Sequence, residues 1–258
     1  MGTYNGLCRY IASNGKFEKI PLPVNSSQSN LFVNSLLEDT GRQCIWIGTE
    51  GYLFQYFPST GQMKQTEAFH NNSIKSLALD GNGYLLAGTD NGLYVYHNDV
   101  TPLQHIIHDS RNIQSLTNNI IWNIFADQEH NIWLGTDYGI SLSRYNSALQ
   151  FIPISQITGT GDGNQFYSLF RDSKGFYWFG GTNGLIRFTD PAGDKHNAIW
   201  YRMGDKTYPL SHNRIRHIYE DKEQQLWIAT DGSINRYDYA TRQFVHYNIV
   251  DSTGTYNT

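Results

Sequence analysis

The chain has 258 residues and a formal net charge of −4, with 14% aromatic and only 16% charged residues. This composition is too aromatic for a disordered chain, and the lack of a long basic run argues against a nucleic-acid surface. Two cysteines, Cys8 and Cys44, are too few for a disulfide framework, and no apolar run approaches the roughly 20 residues of a membrane-spanning helix.

Residues 1–20 hold a Gly-Thr pair and two short runs, "GLCRY" and "FEKI", which predict only the late strands of a repeat unit. Five longer units follow in chain order, at about residues 29–70, 71–110, 117–155, 164–204 and 212–248. Within a unit, a run such as "IKSLALD" ends in an acid, and a second run such as "YLLAGT" ends in Gly-Thr or a variant. A third run such as "GLYVY" follows a turn, and a looser fourth run closes the unit.

The threonines of the Gly-Thr pairs recur every 40 to 48 residues, at positions 3, 49, 89, 136, 182 and 230. Four short strands, rich in β-branched and aromatic residues and joined by Gly, Asp and Asn turns, are the unit of a β-propeller blade. We therefore predict an all-β fold: a β-propeller of four-stranded antiparallel blades, five complete and one partial, in a single module over residues 1–258. Because the sixth unit is incomplete, the chain is expected to be a fragment of a longer array.

Several repeated positions predict how the blades pack. A tryptophan in the second strand is expected to fill the wedge between neighbouring sheets, at Trp46, Trp133, Trp178 and Trp227. The glycine before each threonine should permit close approach of neighbouring blades, and the doubled Gly180-Gly181 predicts a bulge. An asparagine eight residues before the turn acid should tie down the crossing between blades, at Asn72, Asn119, Asn164 and Asn213.

Two copies show the full pattern, "NIIWNIFADQEHNIWLGTDYGISLSRY" (119–145) and "NRIRHIYEDKEQQLWIATDGSINRYD" (213–238). This pattern resembles the two-component regulator propeller repeat, and the resemblance covers nearly the whole chain. In that family the propellers form the periplasmic sensing region of membrane-spanning hybrid histidine kinases, and many members respond to complex carbohydrates. The resemblance thus implies a periplasmic location and a role in signal transduction, with the remaining receptor domains as partners.

One column of the repeat varies while its neighbours stay apolar or small. It lies five residues before the turn acid and consists of Asn34, Lys75, Trp122, Tyr167 and Arg216. Aromatic, amide and cationic side chains suit sugar rings and acidic substituents. In a propeller the turns after Gly-Thr share a face with the inner-strand entrances, which adds Asp90, Asp137 and Tyr138. These eight residues are predicted to bind an oligosaccharide or another small-molecule ligand.

Enzyme motifs are absent from the sequence: there is no G-x-S-x-G nucleophile elbow and no H-E-x-x-H. His105 and His108 have an odd spacing on a predicted strand, so they should not share a metal. We expect a non-catalytic sensor with no catalytic residue, metal or cofactor. The turn carboxylates leave a propeller glycoside hydrolase or lyase open. A third alternative is a structural or dimerisation scaffold, since unpaired strand edges favour a homo-oligomer.

Overall fold

The computed structural model describes residues 1–23, 31–65, 72–97, 102–145, 152–153, 164–189, 198–207 and 209–248. These residues form strands and turns, and no helix occurs among them. The strands are β1 (Gly2–Thr3), β2 (Gly6–Ile11), β3 (Lys16–Ile20); β4 (Val33–Asp39), β5 (Cys44–Thr49), β6 (Leu53–Phe57), β7 (Gln62–Gln65); β8 (Ile74–Leu79), β9 (Leu85–Thr89), β10 (Gly92–Tyr96), β11 (Gln104–Ile106); β12 (Ile121–Ala126), β13 (Ile132–Thr136), β14 (Gly139–Ser143), β15 (Ile152–Pro153); β16 (Phe166–Arg171), β17 (Tyr177–Gly181), β18 (Gly184–Phe188), β19 (Ile199–Tyr201); β20 (Ile215–Glu220), β21 (Leu226–Thr230), β22 (Ile234–Asp238) and β23 (Gln243–Tyr247).

The strands form one three-stranded sheet, β1–β3, and five four-stranded sheets in which each strand is hydrogen-bonded to its neighbours along the chain. We call the first the partial sheet and the others blades 1 to 5, beginning at β4, β8, β12, β16 and β20. The first strand of each blade is its inner strand. The predicted architecture of five complete blades and a partial blade is confirmed.

The chain divides into two compact units. Unit 1 comprises Met1–Ile132 and Ser143–Gln150, and unit 2 comprises Trp133–Leu142 and Phe151–Thr258. Blades 1 and 2 lie in unit 1, and blades 4 and 5 lie in unit 2. The single module over residues 1–258 stays a prediction.

The acid that ends each inner strand is the acceptor around which the following turn folds. In blade 4, Asp172 Oδ1 accepts the backbone N–H of Phe176 at 2.8 Å, which closes the turn. Its Oδ2 accepts the indole N–H of Trp178 at 2.7 Å and the hydroxyl of Tyr239, in blade 5, at 2.6 Å. The carboxylate therefore fixes the turn and the rotamer of the wedge tryptophan together.

The same brace recurs in blades 1 and 5, where Trp46 donates to Asp39 and Trp227 donates to Asp221. Burial alone would raise the pKa of Asp39, but hydrogen bonds from Trp46 and Arg42 outweigh it and lower the pKa. The bond from Trp227 lowers the pKa of Asp221. Both carboxylates therefore contribute stability above their unfolded pKa of about 4, and this is lost as the pH falls through the lowered folded values.

Apolar clusters lie between consecutive sheets, as the wedge prediction requires. Trp46 packs with Ile74, Leu77 and Leu85 of blade 2, and Trp178 packs with residues of blade 5. The ring of Trp133 lies 5.3 Å from that of Tyr177 in blade 4. Trp227 departs from the prediction: in blade 5, the last described sheet along the chain, it is only partly buried.

The predicted close approach at the glycines is confirmed. A Cβ on the glycine would lie 2.5–2.7 Å from the first residue of the next inner strand, at Gly2, Gly48, Gly88, Gly135 and Gly180. Serines add a second contact between neighbouring inner strands. Ser35 Oγ accepts the N–H of Leu77, and Ser76 and Ser168 do the same for Ile124 and Ile218 in the next blade. The inner strands are thus fixed in register as well as in distance.

The predicted bulge at Gly180-Gly181 is wrong. Gly180 and Gly181 pair with Leu185 and Gly184 in unbroken register, so Gly181 stands where other blades have threonine. Elsewhere that threonine bonds the turn, as Thr89 Oγ1 accepts the N–H of Asn91. In blade 4, Asn164 Oδ1 replaces this hydroxyl and accepts the N–H of Asn183 at 3.0 Å. The side chain of Asn164 occupies the space that the missing threonine leaves, so the hairpin needs no extra residue.

The Asp–Trp brace can be tested by comparing two blades. In Asp172→Asn the amide cannot accept all four donors, which are the N–H groups of Lys174 and Phe176, the Trp178 indole and the Tyr239 hydroxyl, so we expect a loss of about 1.5–3 kcal/mol in the free energy of unfolding. Asp80→Asn is the matched control, because Leu86 replaces the tryptophan in blade 2 and the N–H groups of Asn82 and Tyr84 both donate to Asp80 Oδ1, which an amide retains. Chemical denaturation measures both, and equal losses would show that the indole bond contributes nothing.

The close approach can be tested at Gly135, where an added Cβ would meet the backbone oxygen of Phe166 at 2.6 Å. Because a strand backbone cannot move aside cheaply, Gly135→Ala should destabilise by about 1–3 kcal/mol. Gly41→Ala is the control, since its Cβ would meet only Asp39 Oδ1, at 3.5 Å. Thermal melts that do not separate the two variants would contradict the packing described above.

Candidate functional site

Inner-strand entrances and the turns after Gly-Thr meet on one face of each unit. The glycine N–H of such a turn donates to the carbonyl of the repeated asparagine before the next inner strand. The pairs are Gly51 with Asn72, Gly92 with Asn119, Gly139 with Asn164, and Gly184 with Asn213. The predicted contact at the crossing between blades is present at these positions, but the main-chain carbonyl makes it, so it does not explain why asparagine is repeated there. We call this face of each unit the strand-entrance face.

The variable column lies on this face at a backbone irregularity. The pairing of inner and second strands shifts register across Asn34, Lys75, Tyr167 and Arg216, which are therefore the extra residues of β-bulges. Trp122 holds the same sequence position in blade 3. We call these five residues the bulge column. A bulge residue makes no ladder pair and its side chain is redirected, so its identity is not dictated by the sheet.

In unit 1 the bulge column brings Asn34, Lys75 and Trp122 to consecutive blades. Asn34 Nδ2 donates to Ser73 Oγ at 3.1 Å, and Lys75 Nζ lies 4.4 Å from the ring centroid of Trp122. Asp90 Oδ1 accepts the N–H of Ser73 at 3.0 Å, which ties the carboxylate to the strand entrance. The result is an aromatic face with a cation above it and amide and hydroxyl groups alongside.

In unit 2 a hydrogen-bonded chain joins two blades. Gln165 Nε2 donates to Asp137 Oδ1 at 2.6 Å, and the hydroxyl of Tyr167 donates to Gln165 Oε1. Tyr138, next to Asp137 in the turn, is 58% exposed. Predicted site residues are thus brought together by Gln165, which the sequence reasoning missed.

The side chain of Arg216 is paired with a carboxylate of the protein, whereas the sequence alone suggested an arginine available to an acidic ligand. Its Nε and Nη2 donate to the two carboxylate oxygens of Asp231, at 2.5 and 3.2 Å, and Arg214 Nη1 lies 3.8 Å from Asp231 Oδ2. The guanidinium of Arg214 also lies 6.0 Å from the ring centroid of Tyr167. Hydrogen bonding to Asp231 raises the pKa of Arg216, and the same bond lowers the pKa of Asp231.

The missed residues have a sequence signal of their own. Ser73, Gln165 and Arg214 each lie two positions before a bulge residue, and with Phe32 and Ile120 they form a second variable column. Variation at this second column is the sequence signal that identifies Ser73, Gln165 and Arg214. Within the described part of the chain, no three His, Cys, Asp or Glu side chains are grouped to hold a metal, and no helix is suited to cross a membrane.

Known proteins share this architecture and this repeat. Residues 115–138, 160–183 and 209–232 match the family described as two component regulator propeller, and each match runs from before an inner strand to the turn after Gly-Thr. Three of the five blades thus match the repeat of that family, as the sequence pattern indicates.

Particular relatives can also be named. The chain is 94% identical over its whole length to 35% of the extracellular domain of BT4673, a candidate hybrid two-component system of B. thetaiotaomicron, with a TM-score of 0.55. It is 26% identical over 230 residues to histidine kinase P4 of Formosa agariphila, covering 80% of this chain and 16% of that protein. The extracellular domain of BT3049, also from B. thetaiotaomicron, shares the fold at 24% identity and a TM-score of 0.70, over 91% of this chain and 30% of that one. The chain therefore spans about a third or less of each of these relatives.

Proposed function

We propose that the chain is part of the periplasmic sensing region of a hybrid two-component receptor and that its strand-entrance face binds a complex carbohydrate without cleaving it. The similarity to the extracellular domain of BT4673 supports the receptor assignment. Ligand binding would be signalled to the remaining receptor domains, which are the partners of this module.

The observation that carries the binding proposal is the bulge column. The glycine contact recurs between consecutive sheets, and the serine bond and the Asp–Trp brace are each seen in three blades, whereas the bulge residues change from amide to amine, indole, phenol and guanidinium. A bulge residue contributes little to the ladder, so packing does not explain this variety. Recognition of one particular ligand requires side chains whose chemistry can vary while the backbone that holds them stays the same.

The groups on the strand-entrance face of each unit match a saccharide. In unit 1, Trp122 supplies a flat apolar surface that also carries a polar group, and Asn34 supplies hydrogen-bonding groups for ring hydroxyls. In unit 2, Tyr138 and Tyr167 supply such surfaces, and Gln165 and Asp137 supply hydrogen-bonding groups. The face of each unit thus combines aromatic and polar groups, which suits the alternating C–H and O–H faces of a sugar ring.

The carboxylates support binding over hydrolysis. A glycosidase needs one carboxyl group with a raised pKa to protonate the leaving oxygen. The pKa of Asp231 is lowered by Arg216, which is the opposite direction. Asp90 and Asp137 are each engaged by a donor of the strand entrance, Ser73 N–H and Gln165 Nε2. Asp90 and Asp137 therefore hold in place the residues at the start of the next inner strand.

Ligand binding can be tested by calorimetric titration of the chain with a panel of plant and host polysaccharides and their oligomers. Tyr138→Ala should weaken binding of the best panel member roughly two- to tenfold, because an aromatic face contributes about 0.5–1.5 kcal/mol. Tyr10→Ala is a matched control, since Tyr10 is 57% exposed but lies on the partial sheet, which contributes no residue to the bulge column. Equal losses in the two variants would move the site off this face.

The same panel separates the alternatives. Release of reducing or unsaturated sugar ends during incubation would replace the binding proposal with a hydrolase or lyase. A chain that binds no panel member, and whose light scattering shows a defined oligomer, would instead be a scaffold. A retained, unmodified oligosaccharide is the outcome that the proposal expects.

A further inference from the structure

The cluster formed by Arg214, Arg216 and Asp231, which we call the arginine cluster, holds more positive than negative charge. Two guanidinium groups share a single carboxylate, and His212 lies close enough to act on it as well. Asp137, another acid of this face, accepts a hydrogen bond from Gln165. Among the residues that the structure describes, the arginine cluster therefore has, at neutral pH, about one unit of positive charge without a partner acid.

The arginine cluster is also open to solvent. The side chains of Arg214, Arg216 and Asp231 are 42%, 55% and 31% exposed. An exposed ion pair contributes little to stability, because water screens it and two long side chains must be ordered. Stability therefore gives little reason for placing two arginines beside one acid here. A ligand can reach the guanidinium groups without any rearrangement of the sheet.

The geometry of the pair specifies the kind of anion. Asp231 engages Arg216 through both of its oxygens, one on Nε and one on Nη2. A planar carboxylate is the group that fits this two-pronged arrangement, and arginine binds it with two parallel bonds. Asp231 thus marks the position that a ligand carboxylate would take on Arg216, while Arg214 remains beside Asp231 to receive it when it is displaced.

We propose that the arginine cluster is a subsite for the carboxylate of a uronic-acid residue in the bound saccharide. This deepens the function proposed above and rests on it. The ligand carboxylate occupies the fork of Arg216, and Asp231 moves to Arg214. The ring of Tyr167, 6.0 Å from the Arg214 guanidinium, and the amide of Gln165 lie alongside for the sugar ring and its hydroxyls. In the absence of ligand, Asp231 acts as an internal competitor that restricts binding to carboxylates which also make these ring contacts.

The test compares trimers of galacturonate and of glucuronate with their methyl esters, in which the negative charge is removed and one methyl group is added to each carboxyl group. The acid of at least one sugar should bind the chain tenfold or more tightly than its ester. Arg216→Gln should weaken binding of the acid at least tenfold, as loss of a charge-assisted bond predicts, and leave the ester unchanged. Asp231→Asn should tighten binding of the acid, because the competitor is removed. Arg216→Lys, which keeps the charge and loses the fork, should fall between wild type and Arg216→Gln.

The matched control is Arg9→Gln. Arg9 forms an ion pair with Glu18 at 2.6 Å and is 55% exposed, like Arg216, but a single arginine there faces a single acid on the partial sheet. Its loss should not change the affinity for either probe. Melting temperatures of all variants confirm that they are folded.

Several results would overturn the subsite. Equal affinity for acid and ester would do so while leaving the carbohydrate proposal intact. Weaker binding in Asp231→Asn would show that the aspartate contacts the ligand itself or supports the site. Failure of all four probes to bind, while a neutral glycan of the panel binds the wild-type chain, would assign the face to an uncharged ligand.

Discussion

In blades 1, 4 and 5, a carboxylate at the end of the inner strand holds two parts of the blade together. One oxygen of Asp172 accepts backbone N–H groups of the turn, and the other accepts the indole of Trp178. Because the indole is locked at the hydrogen-bonding angle, its ring is presented to the next sheet in one orientation. The apolar cluster between blades 4 and 5 is built on that ring. Turn geometry, rotamer and inter-sheet packing thus depend on one acceptor.

The same constraint explains where the chain can vary. Where the brace fixes one end of an inner strand, the glycine contact sets the distance of that strand from the previous blade, and the serine bonds of blades 1, 2 and 4 set its register against the next. The bulge near the other end then absorbs one residue that no ladder pair uses. The bulge residue is Asn34 in blade 1, Lys75 in blade 2 and Arg216 in blade 5. This difference changes the chemistry of the surface without changing the sheet. The side chains of the strand-entrance face can therefore differ to fit a ligand while the fold is preserved.

Much of this fold could be predicted, because the signals are repeated and local. The spacing of Gly-Thr pairs predicts the blades, and residues 1–20 are correctly predicted as a partial sheet. The predicted bulge at Gly180-Gly181 is wrong because the Gly-Thr pair of blade 4 lies one position later in its blade than the Gly-Thr pairs of the other blades. Asn164, which is 17 residues away, substitutes for the missing threonine hydroxyl, and such compensation is invisible in a local pattern. Trp227 shows the same limit, since its burial depends on a neighbouring sheet.

The candidate site was predictable in its position and only partly in its chemistry. The bulge column is visible as variation at a fixed place in the repeat. The pairing of Arg216 with Asp231 is not visible in the sequence, because Arg216 lies in β20 and Asp231 in the turn after β21, and either side chain could have been directed elsewhere. Gln165 was missed for a related reason: its amide matters through contacts to Asp137 and Tyr167 that only the folded turn creates.

The central claim is that the repeated frame carries the fold and the bulge column carries recognition. The most direct measurement replaces all five bulge residues, Asn34, Lys75, Trp122, Tyr167 and Arg216, with serine in one variant. Its melting temperature and its affinity for the best-binding glycan are then compared with wild type. The account predicts a melting temperature within a few degrees of wild type and no detectable binding. An unfolded variant, or a folded one that keeps its affinity, would contradict it.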